Sequence, residues 1–148
     1  MKNSFFVLTA VVAAALVSGP VAGGTVSATA KFEAALTVRQ ETDHPKGTKP
    51  AASGQFTATL TGKTLKWKLT WKNLSGPAHQ AHIHLGKRGI SGNVLVPLCP
   101  PGCTSPNHGT ATLTAVVIKA MKAGGTYVNV HTNKNFNGEI RGQITVVK

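Results

Sequence analysis

Two short stretches hold the residue types that could do chemistry. Ala81-His82-Ile83-His84-Leu85 sets two imidazoles two residues apart, and Tyr127-Val128-Asn129-Val130-His131 supplies a third. Both alternate apolar and polar residues, the pattern of a half-buried strand. Ala81, Ile83 and Leu85 then share one face and His82 and His84 the other, while Val128 and Val130 oppose Tyr127, Asn129 and His131. With the apolar sets turned to a core, all three histidines project from the outer face of a sheet. Residues i and i+2 of a strand are roughly 6.5–7 Å apart, so two imidazoles of one strand and one from a neighbour can converge on a single ion. Histidine is the commonest metal ligand. The competing reading is a set of polar residues at solvent-facing positions. His79 has the opposite strand parity and reaches the group only through a bulge or from the loop. It and His108 are the two candidates for a fourth ligand. His44 falls in a polar loop and reads as solvated.

The elements that must position these residues are strands. Residues 31–39 alternate loosely, and residues 55–61 alternate cleanly with Phe56, Ala58 and Leu60 inward. Gly62-Lys63 marks a tight hairpin. Residues 64–73 form the clearest strand, with Leu65, Trp67, Leu69 and Trp71 on one face and Lys66, Lys68 and Lys72 on the other. The two tryptophans are expected as core anchors, and the lysines as residues that block edge pairing. Residues 94–98 and 108–113 add two more strands, residues 115–122 a short helix ended by Gly124-Gly125, and residues 139–147 a last strand. In that strand Ile140, Gly142, Ile144 and Val146 face inward, and Glu139, Arg141 and Gln143 outward. The expected core includes Phe56, Leu65, Trp67, Leu69, Ile83, Val128, Val130, Ile140 and Ile144. Seven or eight short strands separated by turns indicate an antiparallel sandwich or barrel.

Lys2, an apolar run over residues 5–17 and the small-residue site Ala28-Thr29-Ala30 read as a signal peptide over residues 1–30, leaving one domain over residues 31–148. The apolar run is too short to span a membrane and no second one follows, so no transmembrane segment is expected in the mature chain. The expected location is secreted, periplasmic or otherwise extracytoplasmic. There Cys99 and Cys103, the only cysteines, are expected to pair and close the Pro100-Pro101-Gly102 turn. A net charge of +12 points to an anionic cell-surface or extracellular polymer as partner. Nucleic acid is disfavoured, because the lysines are scattered and no aromatic stacking platform accompanies them. Only four acids are present, Glu33, Glu41, Asp43 and Glu139, so paired-carboxylate catalysis is poorly supplied. Neither a phosphate-binding loop nor a hydrolase elbow is found.

Taken together, Gly54-Gln-Phe-Thr-Ala-Thr-Leu60, Leu74-Ser-Gly-Pro77, Ala81-His-Ile-His84, Val94-Leu-Val-Pro-Leu98, Tyr127-Val-Asn-Val-His-Thr132 and Gly138-Glu-Ile-Arg-Gly-Gln143 resemble a CHRD domain. That module is named from chordin and is common in secreted bacterial proteins; the likeness covers residues 32–147. A looser resemblance links the pattern to copper/zinc superoxide dismutase, a Greek-key sandwich that holds copper on its outer face. It implies His82, His84 and His131 as ligands and Arg141 as a nearby cation that steers an anion. The enzyme's bridging histidine and zinc-ligand loop have no clear match here. The expected fold is therefore all-β, an antiparallel Greek-key β-sandwich of superoxide-dismutase-like or immunoglobulin-like type, with one short helix near residues 115–122. The expected function is a secreted CHRD-domain binding module without turnover, holding copper or zinc through the outer-face histidines. The alternatives are a copper-only enzyme of dismutase type and a metal-free structural or cell-surface interaction domain.

Overall fold

A computed structural model describes residues 27–148; the apolar run read as an export signal lies outside the described residues. Nine strands and one helix follow in order: β1 (Thr29–Thr37), β2 (Ser53–Thr61), β3 (Thr64–Lys72), β4 (Ala78–Leu85), β5 (Val94–Cys99), β6 (Asn107–Thr112), α1 (Ala115–Lys122), β7 (Thr126–Thr132), β8 (Ile140–Gln143) and β9 (Thr145–Val146). All pairings are antiparallel, in the order β5-β4-β7-β8-β1-β2-β3-β6, with β9 on β1. β5 and β6, the two ends of this path, approach each other, so the sheet curls into a nearly closed barrel. β6 lies beside β3 and β7 beside β4, and each skips the strands between them in sequence, which are Greek-key connections. The expected all-β fold is present, built as one curled sheet.

Alternation explains the core. Phe32, Ala34 and Leu36 of β1, Phe56 and Leu60 of β2, and Leu65, Trp67 and Leu69 of β3 are buried from one face of their strands. The nine residues named as the expected core are all buried, and Trp71, the second expected anchor, is only half-buried against them. Trp67 sits opposite Gly109 of β6, where a Cβ would collide with the indole ring, and its Nε1 donates to Asn107 Oδ1 at 3.2 Å. The missing side chain at Gly109 makes room for the ring. α1 has the expected bounds; Thr114 caps it by accepting from the Val117 N–H, and Met121 plugs the core. Cys99 and Cys103 are joined, with Cα atoms 5.9 Å apart.

Four local expectations differ from the structure. Leu85 is 48% exposed, because β4 ends there and the chain leaves the barrel. The last strand is interrupted at Ile144, whose N–H donates to Thr126 O, and β9 pairs with β1; Val146 is exposed. β3 lies between β2 and β6, so its lysines are not edge guards. Finally, Tyr127, Asn129, His131, Glu139 and Arg141 point outward yet are buried, because loops cover that part of the sheet.

Candidate metal centre

The β4–β7 ladder sets His82 opposite Asn129, His84 opposite Tyr127 and Gln80 opposite His131. His131 is thus diagonal to His82 on the outer face, within reach of long side chains. Ring centroids are 5.5 Å apart for His82 and His84, 5.0 Å for His82 and His131, and 6.1 Å for His84 and His131. One ring nitrogen from each lies within 4.8 Å of the others, the one such cluster of potential ligands among the described residues. Two metal–nitrogen bonds of ~2 Å span at most about 4 Å, a difference that small ring rotations make up.

The ring orientations are fixed from behind. His84 Nδ1 lies 2.9 Å from Gly92 O, and His131 Nδ1 lies 2.8 Å from Phe136 O. A carbonyl only accepts, so each Nδ1 bears the proton and each Nε2 keeps its lone pair. His84 Nε2 is buried with no hydrogen-bond partner. With its lone pair on Nε2, His131 accepts a 3.1 Å hydrogen bond from His82 Nδ1, so His82 carries its proton on Nδ1 in the metal-free protein. An ion bound here would displace that proton to His82 Nε2, leaving His82 Nδ1, His84 Nε2 and His131 Nε2 as the nitrogens available to the cluster. A backbone carbonyl behind a ligating imidazole is the usual way in which proteins orient one for a metal, and a buried unpartnered nitrogen is costly unless something fills the position. The donor set fits a borderline cation such as Cu(II) or Zn(II).

Electrostatics favour the neutral ligand form. Burial, then the neighbouring His131 and His84, pushes the His82 imidazole down to about 4. Burial also lowers His84 and His131, although the carbonyls of Gly92 and Phe136 act against it. At neutral pH all three rings are uncharged and compete little for protons. A surface depression lined by Gln80, His82, Pro97 and Pro100 opens on the half-buried His82 side.

Loops build the cover. Residues 86–92 are held down by Arg141, whose Nη2 donates to Lys87 O and Ile90 O, both at 2.9 Å. Its guanidinium lies 3.4 Å from the centre of the Tyr127 ring, and that ring also stacks on His84 at 5.0 Å. The nearby cation implied by the dismutase resemblance is thus close to His84 but 1% exposed and engaged with the loop. Gln143 Nε2 fastens the same loop to Gly86 O. On the other side, Glu139 accepts from the Ser75 N–H and hydroxyl, Thr132 Oγ1 and Asn135 Nδ2, which fixes the turn that carries Phe136. Glu41 reaches in from a third loop beside Asn129.

His79 lies at a bulge, one of the two routes by which it could have reached the group: the β4–β7 register shifts between Ala78 and Gln80. Its ring packs on Phe136 at 4.5 Å, beside the three-histidine cluster and not within it. His108 is exposed on β6 opposite Lys68 and is outside the cluster. Sequence reasoning missed Tyr127 as a stacking partner, although its outward parity next to His84 signals it. No side-chain signal marks the carbonyls of Gly92 and Phe136.

The family model for the CHRD domain matches residues 32–144. Neither a curated protein nor a solved structure matches the chain.

Proposed function

The chain belongs to the CHRD-domain family, and from that premise we propose that it is an extracytoplasmic binding module that holds one Cu or Zn ion through His82, His84 and His131, without turnover. The observation that carries this reading is the orientation of His84 and His131 by the carbonyls of Gly92 and Phe136, which leaves an unpartnered His84 Nε2 aimed at the cluster. Three imidazoles leave a coordination position free, and His79, on the adjoining bulge, is the nearer candidate for a fourth donor. His108, on β6, is the other. The bound ion would act as a Lewis acid or ligand-binding centre there. The chain's own residues supply neutral donors, a fixed ring geometry and a cover that excludes water from the His84 side.

The placement of Arg141 supports binding over dismutation. An anion-steering cation works by presenting charge to solvent near the metal, and this guanidinium is enclosed by loop carbonyls and Tyr127. Export, proposed from the leader-like residues 1–30, accords with the Cys99–Cys103 pair. Among the described residues no helix is long and apolar enough to cross a membrane. Calorimetric titration of the protein with Cu(II) and Zn(II) tests the reading: stoichiometric binding that His84→Ala weakens at least a hundredfold is expected. Equal binding by wild type and variant would overturn it.

A further inference from the structure

A second surface is organised for a different ligand. β1, β2, β3 and β6 lie side by side, so their outward residues form rows across the sheet. Lys31, Thr59, Lys66 and Thr110 make one row, and Glu33, Thr57, Lys68 and His108 the next. No loop covers these rows: Lys31, Thr57, Lys66, Lys68 and Lys72 are all exposed. The centre of the face is low, because β2 contributes only Thr59, Thr57, Gln55 and Ser53. Long cations flank it, Lys31 and Arg39 on one side and Lys66, Lys68 and Lys72 on the other.

Three shallow depressions follow one another down β2. The first lies between Lys31, Thr57, Thr59, Lys66 and Lys68, the second between Ser53, Gln55, Thr70 and Lys72, and the third between Arg39, Ser53 and Lys72. From Thr59 to Ser53 the run is roughly 20 Å long at ~3.3 Å per residue. Hydroxyl and amide groups of β2 and Thr70 line its middle beside apolar groups of Phe32, Ala58, Trp67 and Trp71, its flanks are cationic, and Glu33 is the one acid lining it.

We propose that this groove binds an acidic polysaccharide, an extended glycan whose sugar hydroxyls meet the Thr, Ser and Gln floor and whose carboxylates meet the flanking lysines. Two features select this ligand over other polyanions. The floor offers neutral acceptors as well as donors; sugar hydroxyls use both, whereas phosphate oxygens only accept. Trp67 and Trp71 line the first two depressions but belong to the inward-facing set of β3, so no ring stands at the outward positions of β2 or β3 to stack a base. The proposal is independent of the metal reading.

The test is binding of polygalacturonate, neutral dextran and duplex DNA to the full protein at physiological salt, where long-range attraction is screened beyond ~8 Å. The triple variant Lys31→Gln, Lys66→Gln, Lys68→Gln is expected to lose at least tenfold in affinity for polygalacturonate. A control that removes three exposed cations elsewhere, Lys46→Gln, Lys87→Gln, Lys134→Gln, is expected to lose less than twofold. Thr57→Val with Thr59→Val keeps every charge and is expected to cost about threefold, a loss that attraction to net charge does not produce. Equal losses in the two lysine triples, no binding of polygalacturonate by the wild type, or duplex DNA bound as tightly as polygalacturonate would each overturn the proposal.

Discussion

The outer face of the barrel is two surfaces made by one rule. On β1, β2 and β3, strand alternation turns Lys31, Thr57, Lys66 and Lys68 outward, and they are exposed. On β4, β7 and β8 the same alternation turns His84, Tyr127, Asn129, His131 and Arg141 outward, and they are buried. The difference lies in the connections. β2 and β3 are joined by Gly62 and Lys63 alone, so nothing can fold back over them. β4 and β7 are followed by loops that return across the sheet and are tied down by Arg141, Gln143 and Glu139. Alternation decides which way a residue points. Loop length and a few buried polar ties decide whether it meets water or a second, polar interior.

Breaking a tie on the covered surface should cost far more than editing the open one. Glu139→Ala removes an acceptor used by four hydrogen bonds and leaves buried donors unmet, so a loss of about 3 kcal/mol is expected in urea unfolding. Arg141→Met keeps bulk over Tyr127 but frees the carbonyls of Lys87 and Ile90. A loss of about 2 kcal/mol is expected, together with faster amide exchange in residues 86–92. The paired change Lys66→Gln, Lys68→Gln on the open surface should stay within about 0.5 kcal/mol of wild type. A loss there as large as that of Glu139→Ala would erase the distinction.

The two surfaces should also differ in response to pH. His82, His84 and His131 have folded-state values below the ordinary 6.5, chiefly through burial, so the unfolded chain binds protons that the fold refuses. Their contribution is fully present above about 6.5 and is lost as pH falls toward the His82 value of about 4. Glu41 acts oppositely: burial raises its carboxyl to about 7 despite the Arg141 charge, so the fold takes up its proton first and stability falls as pH rises from 4.5 to 7. Three imidazoles against one carboxyl make the melting temperature rise with pH between 4.5 and 6.5, and more steeply in Glu41→Gln. The lysine-face variants should keep the wild-type slope. A slope unchanged by Glu41→Gln would show that this carboxyl does not titrate in that range.

Much of this was legible in the sequence where the physics is local. Periodicity placed Phe56, Leu69, Ile83 and Val128 in the core, and the apolar run over residues 115–122 ended by Gly124-Gly125 bounded α1. The His-x-His spacing, combined with the parity of His131, brought three imidazoles to one face. What was hidden depends on contacts between residues far apart in the chain. Burial of Arg141 needs the carbonyls of Lys87 and Ile90, and orientation of His131 needs that of Phe136. Backbone atoms have no letter in the sequence. The bulge at His79 was legible only as one of two routes to the cluster, the loop being the other, and the ring packs on Phe136 instead.

The central claim is that the covered surface is a donor set oriented before any ion arrives. Long-range proton–nitrogen NMR correlation of the imidazoles at pH 7.5, before and after one equivalent of Zn(II), tests it most directly. In the metal-free protein His84 and His131 should carry their protons on Nδ1, held by the carbonyls of Gly92 and Phe136. Zinc should then shift Nε2 of His84 and His131 and Nδ1 of His82, and leave His108 unmoved. Protons found on Nε2 of His84 and His131, or zinc that leaves these three nitrogens unshifted, would contradict the account.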